Sequence, residues 1–225
     1  PKVSVGATES ALMTAVLAQG QTKIFNAARE PEVTDLANCL NKAGADIKGI
    51  GTDNLLINGV KQLNKVSHSV VSDRIEAGSF AIASSITRGN VEINNINPKN
   101  LTEFINVLKL TGSKIEISEN SMNVSCSHRP KTYNVDTYPY PGFPTDLQAQ
   151  YMALMAIANG KTLIKETIFE NRFMHVPELM RMGAKISTNH QEAEVFGVKK
   201  LKGAKVMASD LRASMCLILG ALAAS

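Results

Sequence analysis

Apolar and polar positions along the first seventy residues alternate between two periods. Residues 8–19 are rich in Ala, Leu and Met and end at Gly20, which predicts a helix stopped by a glycine. Residues 22–26 read as a strand. Across residues 31–43, Val33, Leu36, Ala37 and Leu40 share one face at helical spacing, and Pro31 lies in the first turn, where a missing N–H costs nothing. Residues 45–50 and 55–57 then predict two strands flanking the polar turn Gly51-Thr-Asp-Asn. With an extended run over residues 2–5 in front, the predicted order is βαβαββ.

The same unit returns. Its openings read KVSVGATES (residues 2–10), VVSDRIEAG (70–78), FPTDLQAQ (143–150) and VMASDLRAS (206–214), so Asp73, Asp146 and Asp210 recur at equivalent helix starts. A second ladder, AGADI (43–47), TGSKI (111–115) and MGAKI (182–186), closes a helix and opens a strand in each copy. A period of roughly 65 to 75 residues is too long for a solenoid repeat and fits a small α/β module used three times, with a fourth copy begun. A chain that lacks an initiator Met and stops inside a repeat is expected to be part of something longer.

Composition narrows the class. Of 225 residues, 44% are hydrophobic and 20% charged, which suits a globular α/β protein. Cys39, Cys126 and Cys216 are scattered with no CxxC pair, which argues for free thiols in a reducing compartment and against a disulfide scaffold or zinc ribbon. The apolar run at 215–224 is about half of the roughly 20 residues a bilayer span needs. A net charge of +4, with only Lys199, Lys200, Lys202 and Lys205 clustered, 5% aromatic residues and no Trp, gives no stacking platform for bases. Neither GxxxxGK[ST] nor GxGxxG occurs, and Gly49 and Gly51 suit a hairpin. His68, His128, His175 and His190 show no ligand spacing, so no metal and no cofactor is predicted. The expectations are therefore no nucleic acid and no membrane.

Chemistry is sought where the repeats depart from their own rule. Helix capping is the first reading of Asp73, Asp146 and Asp210, because a carboxylate accepts from the free N–H groups of a helix start. The third copy differs: Pro139, Pro141 and Pro144 make a stiff entry to Asp146, and rigidity of that kind suits a catalytic carboxylate. The same copy carries ENRFMHVPEL (170–179) where the first has AREPE (28–32), and arginines also follow the helix-start aspartates, as Arg74 and Arg212. Arginines so placed could form a fork for a carboxylate or phosphate, or pair with neighbouring glutamates on the surface. His175 reads as a packed or hydrogen-bonded histidine.

In this order, PKVSVGAT (1–8), NAAREPEVTDLANCL (26–40), FPTDLQAQ, ENRFMHVPELMRMGA (170–184) and VMASDLRAS resemble the enolpyruvyl transferases, and within them the branch acting on a sugar nucleotide. The resemblance spans essentially the whole chain. It implies an inside-out α/β barrel fold, two domains of three βαβαββ units each, with the active site between them. Residues 1–71 would be the last unit of the catalytic-loop domain, and 72–225 two units plus the start of a third from the second domain. The implied reaction moves the enolpyruvyl group of phosphoenolpyruvate to the 3-hydroxyl of UDP-N-acetylglucosamine and releases phosphate, the first committed step of peptidoglycan synthesis. A cytoplasmic bacterial enzyme, monomeric when intact, is implied with it.

By the same resemblance Asp146 accepts the proton of the sugar hydroxyl, Arg172 and Arg212 lie near the anionic groups of phosphoenolpyruvate, and Asp210 orients that cluster. Lys2, Val3, Ser4, Val5 and Gly6 match a segment that holds the nucleotide, and Asp146 and Ile168 match contacts near the sugar. An N-terminal Lys-Asn pair, a mobile loop with a reactive cysteine and an arginine near the C-terminus, which the family also uses, have no counterpart here, and none of the three cysteines matches the loop position. Residues 1–225 by themselves are therefore expected to be inactive. The alternatives are the shikimate-pathway sister enzyme, which tends to carry a KETDR-like stretch near residue 170 and lacks FPTDLQ, a non-catalytic binding module, and an RNA-processing relative built from similar units.

Overall fold

The computed structural model describes residues 2–225. The chain divides into two compact units: residues 1–71 with 139–141, and residues 72–138 with 142–225.

In the first unit, α1 (Val5–Ala15) is followed by β1 (Gln21–Phe25), α2 (Pro31–Lys42), β2 (Asp46–Lys48) and β3 (Asn54–Asn58). The strands form an antiparallel sheet in the order β1-β3-β2. Leu12, Val16, Val33, Ala37, Ile47, Leu55 and Ile57 form its core, as the helical and alternating patterns require. Gly49 and Gly51 take positive φ in the β2–β3 turn, the conformation glycine adopts at no steric cost.

The expected extended run at 2–5 is not a strand. Ser4 caps α1, its hydroxyl accepting from the Ala7 N–H at 3.3 Å, so the helix begins at Val5 rather than near residue 8. Residues 70–72 are likewise in no sheet. A strand needs an edge to pair with, and among the described residues neither segment joins a sheet.

The second unit holds two copies and the beginning of another. The first comprises α3 (Arg74–Thr87), β4 (Asn90–Asn94), α4 (Thr102–Leu110), β5 (Lys114–Ile117) and β6 (Ser121–Ser125), with sheet order β4-β6-β5. The next is complete: β7 (Val135–Asp136), α5 (Gln148–Ala156), β8 (Lys161–Lys165), α6 (Val176–Arg181), β9 (Lys185–Asn189) and β10 (Glu192–Phe196). Its order is β7-β8-β10-β9, and β7 lies parallel to β8, so βαβαββ is realised here in full. Helix α7 (Leu211–Leu222) opens the last copy. The molecule is thus α/β with repeated units on three separate sheets, and no closed barrel forms among the described residues.

Helices α3, α5 and α7, which follow the recurrent aspartates, pack on one another. Every residue of α5 is buried, and its helical neighbours α3 and α7 bury small residues such as Ala77, Ala81 and Ala213. Close approach is most evident at Gly78 of α3, where an added Cβ would lie 2.4 Å from Cδ1 of Leu147. Leu147 is fully buried, and Phe143 packs on Tyr151 and Phe104 with ring centroids 5.4 and 6.0 Å apart. These two side chains anchor both ends of the short segment that carries Asp146.

Candidate active site

Two of the three recurrent aspartates cap their helices. Asp73 Oδ1 accepts from the Ile75 and Glu76 N–H groups at 2.8 and 3.0 Å, and Asp210 Oδ1 from those of Arg212 and Ala213 at 2.8 and 3.0 Å. The backbone bond from Ala213, joined by that from Arg212, holds the Asp210 carboxyl below its ordinary range against the opposing effect of burial.

Asp146 breaks the rule and, contrary to the expectation for it, caps no helix. It lies inside a 3₁₀ turn, Thr145–Leu147, whose N-cap is Pro144. Its side chain therefore leaves the backbone and takes two arginines. Oδ1 accepts from Arg172 Nη2 at 2.9 Å, from Arg212 Nε at 2.7 Å and also from Arg212 Nη2. Oδ2 has no protein donor among the described residues. The arginine–carboxylate alternative raised for these loops is thus realised, with Asp146 rather than a glutamate as partner.

Each arginine is delivered by a different element. Arg212 is the second residue of α7, two positions after the capping Asp210, so the cap that fixes the helix start also fixes the base of its side chain. Arg172 stands in the loop between β8 and α6, its guanidinium 4.3 Å from the centroid of the Phe169 ring. Its side chain is 14% exposed against 37% for Arg212. Burial, then the neighbouring Arg212, lowers the affinity of Arg172 for its proton, opposed by Asp146 and Glu166. Asp146 Oδ1, shared by the two guanidiniums, offsets part of that mutual repulsion.

A cavity of about 220 Å³ opens at this cluster, lined by Gln148, Asn171, Arg172, His175, Asp210 and Arg212 among others. His175 is packed, as expected, with its ring 6.4 Å from that of Phe173. Burial, reinforced by Arg172 and opposed by Asp210, depresses its pKa to about 4, so it is neutral near pH 7. Gln148 is fully buried with neither side-chain polar atom paired among the described residues.

The fold therefore brings together Asp146, Arg172, Asp210 and Arg212. Ile168 sits on the Arg172 loop, half-buried, with its N–H on the buried Glu166. Lys2, Val3, Ser4, Val5 and Gly6 belong to the first unit, where Val3 and Val5 pack on its core and nothing lies within 4 Å of the Cβ position at Gly6. Among the described residues no group of three or more His, Cys, Asp and Glu could hold a metal ion, and no helix is long and apolar enough to cross a membrane.

Glu166 escaped the sequence reading. The signal was available: burial alternates through β8 at Thr162 and Ile164, and the next residue on that face is Glu166. A carboxylate carried onto a buried face must be met by donors.

Comparison with known proteins bears on what this site does. The chain is 53% identical over 225 residues to UDP-N-acetylglucosamine 1-carboxyvinyltransferase of Orientia tsutsugamushi (strain Ikeda), matching 100% of itself and 53% of that protein. It is 54% identical over 221 residues to the protein of the same name from Geotalea uraniireducens (strain Rf4), covering 98% of itself and 53% of the relative. The chain spans about half the length of the curated relatives it matches. Among solved structures, the enolpyruvyl transferase NikO from Streptomyces tendae superposes with a TM-score of 0.87 at 25% identity, over 98% of this chain and 53% of that one. EPSP synthase from Acinetobacter baumannii, at 20% identity and a TM-score of 0.70 over 100% of this chain and 55% of that one, shares the fold. The family described as EPSP synthase (3-phosphoshikimate 1-carboxyvinyltransferase) matches residues 1–225, and the chain belongs to that family of carboxyvinyl transferases.

Proposed function

We propose that the full-length protein transfers the enolpyruvyl group of phosphoenolpyruvate to the 3-hydroxyl of UDP-N-acetylglucosamine with release of phosphate. The observation that carries the reading is the engagement of Asp146 Oδ1 by both Arg172 and Arg212, with Oδ2 lacking a protein donor among the described residues. The relatives' names give the acceptor and the type of group transferred.

On this reading Asp146 is the base. The sugar hydroxyl bonds to C2 of phosphoenolpyruvate as its proton passes to Oδ2, and the C3 methylene takes up a proton to give a tetrahedral adduct. Loss of a C3 proton then restores the double bond as the C2–O bond to phosphate breaks. Arg172 and Arg212 present fixed positive charge to the donor's carboxylate and phosphate, in a partly buried setting where it acts more strongly than in water. Asp210 positions Arg212 through the α7 cap. Ile168 lies against the sugar, and residues 2–6 hold the nucleotide. Residues 1–71 form the last unit of one domain, and 72–225 two units and part of a third from the other. The enzyme acts in the bacterial cytoplasm at the start of peptidoglycan synthesis.

The test is phosphate release by the full-length protein with each substrate alone and with both. Release that requires both, with a product of the mass of enolpyruvyl-UDP-N-acetylglucosamine, is expected. Equal or faster release with shikimate 3-phosphate as acceptor would replace this reading with that of the sister enzyme.

A further inference from the structure

We infer that Glu166 is a positioning residue that sets the geometry of Asp146 and the Arg172 loop together, through hydrogen bonds and not by exchanging a proton with substrate. The inference rests on the reading of Asp146 as the base.

Glu166 is 1% exposed and directly follows β8. Its two oxygens reach different parts of the site. Oε2 accepts from the Thr145 hydroxyl at 2.8 Å, and Thr145 is the residue before Asp146. Oε1 accepts from the Ile168 and Phe169 N–H groups at 2.9 and 3.1 Å, at the root of the loop that carries Arg172. Oε1 also accepts from the Thr137 hydroxyl at 3.0 Å, just past β7.

A buried carboxylate with no directly paired cation among the described residues needs such donors, since desolvation otherwise penalises its charge. Four donors from three segments therefore make one rigid joint. The strand end fixes Glu166 itself, its N–H donating to the Gln191 carbonyl at 2.7 Å. From that point one arm sets the Asp146 turn and the other sets Phe169, whose ring supports the Arg172 guanidinium. Displacing either arm by about an ångström lengthens the Asp146 to hydroxyl approach, and misplacement of that size can cost on the order of 10²-fold in rate.

All four hydrogen bonds to its side chain come from protein donors, which occupy both of its oxygens. A glutamine can serve nearly as well: its carbonyl accepts from Ile168, Phe169 and Thr137, while its amide donates to the Thr145 hydroxyl, which can rotate to accept. A proton donor, in contrast, cannot be replaced by an amide.

Glu166→Gln, Glu166→Ala and Thr145→Val are compared in the full-length protein, with kcat, KM for both substrates and amide chemical shifts near residue 168. Glu166→Gln is expected to keep kcat within about tenfold with an unchanged pH profile, and Glu166→Ala to lose roughly 10²-fold. Thr145→Val, which leaves the other three bonds intact and so guards against a misfolded alanine variant, is expected to lower kcat with KM for the nucleotide little changed. A Glu166→Gln loss as deep as that of Asp146→Asn would overturn the inference in favour of proton transfer, and a Thr145→Val enzyme with wild-type kcat would overturn the positioning arm. Should the wild type show no turnover, the functional reading fails first, while perturbed Ile168 and Phe169 amides in Glu166→Ala would still report whether the joint exists.

Discussion

Arg212 Nε meets Asp146 Oδ1 at 2.7 Å, joining the start of the last repeat to the 3₁₀ turn of the repeat before it. A capping aspartate two residues ahead of Arg212 makes this contact reproducible, because the helix start that bears the arginine is itself pinned. The repeat thus supplies both the rule, an aspartate at a helix start, and the exception that occupies the site.

Asp146→Asn should keep much of the hydrogen bonding to the two arginines and lose the capacity to take a proton. In the full-length protein kcat is expected to fall by roughly 10²-fold or more, with nucleotide affinity changed little. Single-turnover kinetics beside calorimetric titration with UDP-N-acetylglucosamine checks this. Wild-type turnover would reduce Asp146 to a structural anchor for Arg172 and Arg212.

His175 links the site to stability. Its pKa in the folded chain, about 4, is below the ordinary value of 6.5, so between these values the unfolded chain binds more protons than the folded one. The stability contributed by keeping His175 neutral is fully present above pH 6.5 and is lost progressively as pH falls toward 4. Thermal melts across that window should show Tm falling with acidification, by less in His175→Phe than in wild type. Parallel Tm curves for the two proteins would show that His175 does not titrate in this window.

Gly78→Ala sets two effects against each other. Alanine favours a helix interior over glycine by about 1 kcal/mol. The new methyl would, however, stand 2.4 Å from Leu147 Cδ1, and Leu147 is fully buried with no open side to swing toward. Overpacking of that kind costs about 1 to 3 kcal/mol. A net loss of up to about 2 kcal/mol is expected in chemical denaturation. Because Leu147 adjoins Asp146, a fall in kcat should accompany it. A variant as stable as wild type would mean that α3 and the 3₁₀ turn can part without cost.

Cys216 is fully buried in α7, and burial pushes its thiol well above the ordinary range. Native protein treated with iodoacetamide should be alkylated at the half-buried Cys39 well before Cys216, which should react only after denaturation. Mass spectrometry of the digested protein reads the order. Early labelling of Cys216 would place the opening of α7 among the low-energy motions of the fold.

Local pattern settles much of this protein. Helical spacing at Val33, Leu36, Ala37 and Leu40 and the glycine-bearing turn between β2 and β3 follow from short-range sterics and burial, so their elements appear within a few residues of expectation. The capping roles of Asp73 and Asp210 are equally local, since the atoms involved lie two or three residues apart. Strand existence is not local. Residues 2–5 and 70–72 have a strand-like composition but join no sheet among the described residues, whereas Val135–Asp136, a two-residue strand without a strong signal, is real because β8 lies beside it.

The site divides in the same way. The sequence by itself, through its repeat and its motifs, singled out Asp146, Arg172, Asp210 and Arg212. It could not show that Asp146 abandons the cap for two arginines, because that choice depends on a contact between residues 146 and 212. Nor could it show that Glu166 joins Thr137, Thr145, Ile168 and Phe169. A buried carboxylate takes whichever donors the tertiary fold brings within hydrogen-bond distance, and those donors come from segments that only packing assembles.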